Sequence, residues 1–224
     1  MNATEKKRKK LKQQSVFQVE SRGFCVQCRK PQMKCYCCLL EPFQSKPRIV
    51  ILYHPLERRK KMTTGRMTHL CLSNSFLFSG VDFTHHQRLN ELLEEYKNKT
   101  FILMPRADAF NLDEPAKGEE WRNKVSSSLV ILLDGTWRNV KKMFRESKNL
   151  HFLPALAFKN PPISQIKVKK QPMEYCLTTL EATASVLQWS GEERFIRLKN
   201  VFESVVADQV EYKKKSFKSR HLRD

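Results

Sequence analysis

At 224 residues the chain is long enough for one full-sized domain with a core and a small added module. No run approaches the roughly eighteen apolar residues of a membrane span, and the basic start from Lys6 to Lys12 leads into polar residues rather than a signal-peptide core. These features predict a soluble, cytoplasmic protein without a membrane partner, and a formal net charge of +19 points to a polyanionic one, RNA or DNA first.

The first twelve residues hold +5 of that charge and the last fourteen +4, so +10 falls on the body between them. Residues 1–20 read as a basic flexible leader and residues 21–41 as a cysteine-rich knuckle. Residues 42–210 read as an α/β domain and 211–224 as a basic tail. Within the domain the pattern predicts strand Arg48–Tyr53, helix Gly65–Leu72, strand Ser75–Ser79, helix Thr84–Lys97 and strand Phe101–Met104, which ends at Pro105. An irregular stretch with Pro115 and Gly118 leads to strand Leu129–Leu133. Helix Trp137–Ser147 follows, with Val140, Met143 and Phe144 on one face. Strand Leu153–Phe158 precedes a Pro161-Pro162 turn, helix Leu180–Trp189 and a last helix from near Glu192. Such alternation predicts a mainly parallel sheet with flanking helices.

Five of the seven cysteines lie between Cys25 and Cys38. An intracellular chain does not oxidise such a group into structural disulfides as a rule, so metal binding is the better reading. Cys25-x2-Cys28 and Cys35-x-Cys37 offer two close pairs of thiolates, and the six residues between the pairs let one fold back on the other. Zinc suits four sulfur ligands. Cys38 competes with Cys37 for the fourth place, and an iron–sulfur cluster or unliganded thiols are the alternatives. Arg22, Arg29, Lys30 and Lys34 surround the knuckle, within reach of phosphate. Cys71 and Cys176 read as small buried hydrophobes.

The passage Leu129 to Trp137 is the most informative in the chain. Its unbroken apolar run reads as a strand buried on both faces. The run stops at Asp134, Gly135, Thr136 and Trp137, where a basic helix begins. Open α/β sheets bind ligands beyond the carboxyl ends of their strands, so a site is expected here. The plainer alternative is a turn with a packed indole.

With these residues the chain resembles the DTW-domain family, named for its Asp-x-Thr-Trp motif, over roughly residues 21–200. The match takes in the four cysteines, Thr63-Thr64-Gly65-Arg66, Met104-Pro105 and Asp134-Gly135-Thr136-Trp137. Lys142-Met143-Phe144-Arg145 and Tyr175-Cys176 with Glu181 complete it. The form of the Asp134 helix looks more like bacterial members. The resemblance implies a tRNA-uridine aminocarboxypropyltransferase that uses S-adenosylmethionine, with a SPOUT-like fold and a C-terminal knot that no periodicity reveals. The bacterial likeness favours the variable loop of tRNA as its target.

On that basis Asp134, Thr136 and Trp137 are the candidate catalytic residues. Pro105, Asp134, Gly135, Thr136, Tyr175, Cys176 and Glu181 are candidates for holding the cofactor. Asp134 is expected to position by charge, since an ordinary aspartate is a weak base for a uridine imide. Thr178-x-x-Glu181 is also a capping box in its own right. Arg66, Arg138, Lys141, Lys142 and Arg145 are candidate RNA contacts. Arg58, Arg59, Lys60 and Lys61 form a further basic run, and His54, His85 and His86 read as ordinary polar residues. Two other functions stay open: an RNA methyltransferase using the same cofactor, and a non-enzymatic zinc-containing RNA-binding protein.

Overall fold

A computed structural model describes residues 23–59, 63–113, 118–160, 164 and 177–221, with side chains through residue 208 apart from Arg58 and Arg59. The leader, Arg22, Lys60, Lys61, Pro115, the Pro161-Pro162 turn, Tyr175 and Cys176 lie outside the described residues. The chain divides into two units, Met1–Leu40 and Glu41–Asp224.

The larger unit is built on six strands: β1 (Arg48–Tyr53), β2 (Phe76–Ser79), β3 (Thr100–Leu103), β4 (Phe110–Asn111), β5 (Leu129–Asp134) and β6 (Ala155–Ala157). They lie in the order β2-β1-β5-β3-β6-β4, and every pairing is parallel. This is the parallel α/β sheet that the alternation predicts. The helices are α1 (Thr64–Cys71), α2 (Gln87–Glu95), α3 (Glu119–Ser126), α4 (Trp137–Glu146), α5 (Thr179–Trp189) and α6 (Phe195–His221). Among the described residues no helix is long and apolar enough to cross a membrane.

Side chains alternate across a strand, so each central strand supplies two cores. Val50, Leu52, Leu129 and Ile131 face one side, where they cluster with Leu89 and Leu92 of α2 and Met143 of α4. Ile49, Ile51, Val130 and Leu132 are equally buried on the other side. There Ile51 lies beside Gly65 of α1, and α5 packs against β5, α1 and α6. By the same alternation Asp134, two residues beyond Leu132, faces α1 and α5 rather than α2 and α4.

Several boundaries differ from the sequence reading. The second helix starts at Gln87 rather than Thr84, because Asp82 accepts bonds from the Thr84 amide and hydroxyl, and His86 caps the helix through Nδ1 to the Leu89 amide. Strand β6 is only Ala155–Ala157, since Pro154 has no amide to donate. Helix α3 stands where an irregular stretch was expected. Val125 is its one buried residue, so it carries no apolar period to read. The last helix continues to His221, through residues read as a tail.

Candidate functional site

Strands β1 and β5 are neighbours, yet the chain leaves β1 for β2 on one side and leaves β5 for β6 on the other. That is a topological switch point, where the loops part and leave a crevice at the carboxyl ends. Tyr53 pairs with Asp134 at the last register position, and the His54 amide donates to the Asp134 carbonyl at 2.9 Å. Helix α4 begins just after β5, and α1 is the first α-helix after β1. The start of α5 is brought to the same place by Thr179, whose hydroxyl donates to Asp134 Oδ1 at 2.6 Å.

Asp134 is buried. Its other oxygen, Oδ2, points at the first turn of α1. A Cβ built on Gly65 would lie 2.5 Å from Oδ2 and 3.2 Å from Ile51 Cγ2, so only glycine permits this approach. A carboxylate at the first turn of a helix is favoured by the unpaired amides there. Asp134 is therefore bonded to α5 and packed against the first turn of α1, at the carboxyl end of the central strand.

The rest of the tetrapeptide turns outward. Gly135 is half-buried in the turn between β5 and α4. Thr136 is exposed and caps α4, its Oγ1 accepting from the Asn139 amide at 3.4 Å. The Trp137 indole is 38% exposed, so it is not the fully packed core residue of the plainer reading. Arg138, Lys141, Lys142 and Arg145 follow on α4 and are all exposed. Pro105 is exposed, two residues past Leu103, which pairs with Leu132 on the adjacent strand. It stands level with Asp134. Arg66 lies in the first turn of α1 and is half-buried.

Thr178 and Glu181 form a complete capping box at the start of α5. Glu181 Oε2 accepts from the Thr178 amide at 2.9 Å and the Thr178 hydroxyl at 2.8 Å, and both carboxylate oxygens are within reach of the Ser164 hydroxyl. This carboxylate is occupied by its own helix end.

In sequence Thr179 sits one place beyond the capping threonine and looks like an ordinary first-turn residue, and His54 looks like an ordinary polar one. His54 is buried at the end of β1, and its Nδ1 accepts from the Leu56 amide at 3.2 Å. Neither position carries a local signal, because the neighbour that matters is far away in sequence.

In the smaller unit the sulfur atoms of Cys25, Cys28, Cys35 and Cys37 all lie within 4.8 Å of one another. Cys25 and Cys37 are 3.6 Å apart, and Cys28 and Cys35 are 3.7 Å apart. A zinc ion with bonds of about 2.3 Å sets tetrahedral edges of about 3.8 Å, so these separations fit it. Cys38 is exposed and stands outside the group. The Cys28 amide, and then that of Gln27, point at the Cys25 sulfur and lower its thiol to about 6. Cys71 is buried in the sheet unit, and burial pushes its thiol up to about 12, which makes it the inert hydrophobe expected.

The larger unit is thus an α/β fold, a parallel sheet with a buried carboxylate at its switch point. Residues 22–210 match the DTW domain, and the chain belongs to that family. It is 30% identical over 171 residues to tRNA-uridine aminocarboxypropyltransferase 2 of Drosophila melanogaster, covering 74% of this chain and 66% of the relative. It is 30% identical over 176 residues to the Mus musculus protein of the same name, covering 77% and 58%. The Macaca fascicularis protein of that name is 28% identical over 177 residues, again covering 77% and 58%. The chain thus spans 58–66% of the length of these relatives. All three are animal proteins, and they lend no support to the bacterial likeness. No solved structure matches the chain.

Proposed function

We propose that this protein transfers the 3-amino-3-carboxypropyl group of S-adenosylmethionine to N3 of a tRNA uridine. The observation that carries the reading is the buried Asp134 carboxylate at the switch point, held by Thr179 and approached by Gly65. The residues present suit the donor. A carboxylate complements a sulfonium or an ammonium, the helix starts around it complement a carboxylate, and an exposed indole offers a face to a flat base. When bound, S-adenosylmethionine would supply a carbon activated by its sulfonium: the bond from uridine N3 to that carbon would form as the carbon–sulfur bond breaks, with methylthioadenosine leaving and the N3 proton passing to solvent.

The protein's part is alignment and charge. Which of the three carbons on a sulfonium reacts is decided by which one faces the nucleophile, and orientation of this kind provides about 7–11 kcal/mol in the best cases. Asp134 is fixed on two sides, so its charge need not reorganise during the reaction. Thr136 uses a lone pair to cap α4 and keeps its hydroxyl proton for a donor or base. Trp137 stacks on adenine or uracil. Arg138, Lys141, Lys142 and Arg145, with Arg66, take tRNA phosphates. Glu181 serves the pocket by ordering the start of α5, and Tyr175 and Cys176 supply backbone groups to the donor.

The same reading gives the sheet unit a SPOUT-like fold knotted at its cofactor end, zinc on Cys25, Cys28, Cys35 and Cys37, and a place in the cytoplasm. Unmodified tRNA and S-adenosylmethionine, incubated with the protein and analysed by nucleoside mass spectrometry, test the central claim. Acp3-uridine with methylthioadenosine supports it. Methylated base with S-adenosylhomocysteine makes it a methyltransferase, and unchanged RNA makes it a binding protein.

A further inference from the structure

The cysteine unit displays what a folded module normally hides. Phe24, Val26, Met33 and Leu39 are 64%, 90%, 85% and 44% exposed. All four fall within residues 23–40, which hold half of the large exposed hydrophobic residues among those described. The unit's only charged side chains over this stretch are Arg29, Lys30 and Lys34. These three cations outnumber the two net negative charges that four thiolates leave around a dication.

The backbone places these groups together. Phe24 bridges Pro31, and the Gln32 amide donates to the Gly23 carbonyl at 2.8 Å. Phe24 and Met33 therefore stand on neighbouring, hydrogen-bonded segments. Arg29 closes the Cys25–Cys28 turn, its amide donating to the Cys25 carbonyl at 2.8 Å. It does so at φ 57°, the left-handed region that glycine adopts at least cost. The exposed guanidinium stands where the turn itself would prefer no side chain.

We infer that this module reads RNA, stacking an unpaired base on Phe24 and Met33 while Arg29 and Lys34 hold the flanking phosphates. Apolar faces ringed by cations match a single strand, whose bases are free to stack; a duplex keeps its bases inside. An acidic protein segment would pair with the cations and leave the exposed ring and thioether unexplained. The inference deepens the proposed function and rests on it only for the choice of RNA.

The test uses the full zinc-loaded chain, with fluorescence anisotropy of a labelled unstructured oligoribonucleotide and of a duplex. Phe24→Ala should weaken the single strand about 5- to 100-fold, as loss of one base stack does. The duplex should be bound almost as before. Arg29→Gly should reduce the salt dependence for the single strand by about 0.7 log units per decade. Zinc content and thermal stability should be unchanged or raised, because glycine relieves the turn. Wild-type affinity for the single strand in both variants, with zinc retained, overturns the inference. So does an equal loss on the duplex. Acp3-uridine formation is scored separately: its absence removes the transferase reading and leaves the binding difference intact.

Discussion

The cysteine unit and the sheet unit of this protein differ most in how much apolar side chain they bury. Over residues 23–40 the buried apolar side chains are Cys28 and Tyr36, whereas β1 and β5 bury Ile49 to Leu52 and Leu129 to Leu132 almost completely. A sheet core of that kind stabilises by area removed from water, at about 25 cal/mol per Å². On the proposed reading, a module with so little core depends on a bound metal instead. The sheet unit is then expected to withstand chelators, and the cysteine unit to lose its order to them.

Metal removal breaks this comparison most directly. Apparent binding of structural zinc in small modules is about 10–16 kcal/mol, enough to decide whether they fold. A strong chelator, or Cys28→Ser, should abolish hydrogen-exchange protection at residues 23–40 while the main thermal transition of the sheet unit keeps its midpoint. Retained protection without metal would show that the module has a core of its own.

In the sheet unit the largest effect is expected at Asp134. Asp134→Asn keeps the shape, and its amide oxygen still accepts from Thr179, but the charge is gone. Transfer should fall at least about 100-fold, as for other fixed electrostatic groups, with tRNA affinity nearly unchanged and the melting point somewhat lowered, because an NH2 group then faces the first turn of α1 where Oδ2 stood. Normal turnover would reduce Asp134 to a structural contact of α1 and α5. Gly65→Ala acts on the same carboxylate from outside. Its new methyl meets Oδ2 at 2.5 Å, so the side chains must shift; overpacking of this sort costs about 1–3 kcal/mol, less the helix preference of alanine. Denaturant unfolding measures the loss, and transfer should drop with it.

Strands β1 and β5 were legible because both faces are buried and the apolar run is unbroken. Helix α4 was legible because Val140 and Met143 repeat at helical spacing on a basic background. Helix α3 was not, since its Trp121 packs on Phe110 across the sheet edge instead of supplying a period. The site divides in the same way. The Asp134 to Trp137 turn announces itself as a strand end, and the cysteine spacing announces a metal. That Thr179 and Gly65 meet Asp134 follows from how α1 and α5 cross one face of the sheet, and no window of local sequence contains it.

The smallest expected effect separates two roles of the α5 start. Thr178→Ala removes the hydroxyl that accepts from the Glu181 amide at 3.3 Å and donates to Oε2 at 2.8 Å. Glu181 keeps the Thr178 amide and the Ser164 hydroxyl, so half the capping box survives. The loss should be about 0.5–2 kcal/mol of stability, the usual value of a cap. If the box only orders the helix, KM for S-adenosylmethionine stays at its wild-type value in conditions where the variant is folded. If the first turn of α5 also receives the donor's carboxylate, KM rises with kcat little changed, because ground-state and transition-state binding weaken together. We expect the first result, since the Glu181 carboxylate already sits at this helix start on the Thr178 amide and its charge repels a second carboxylate.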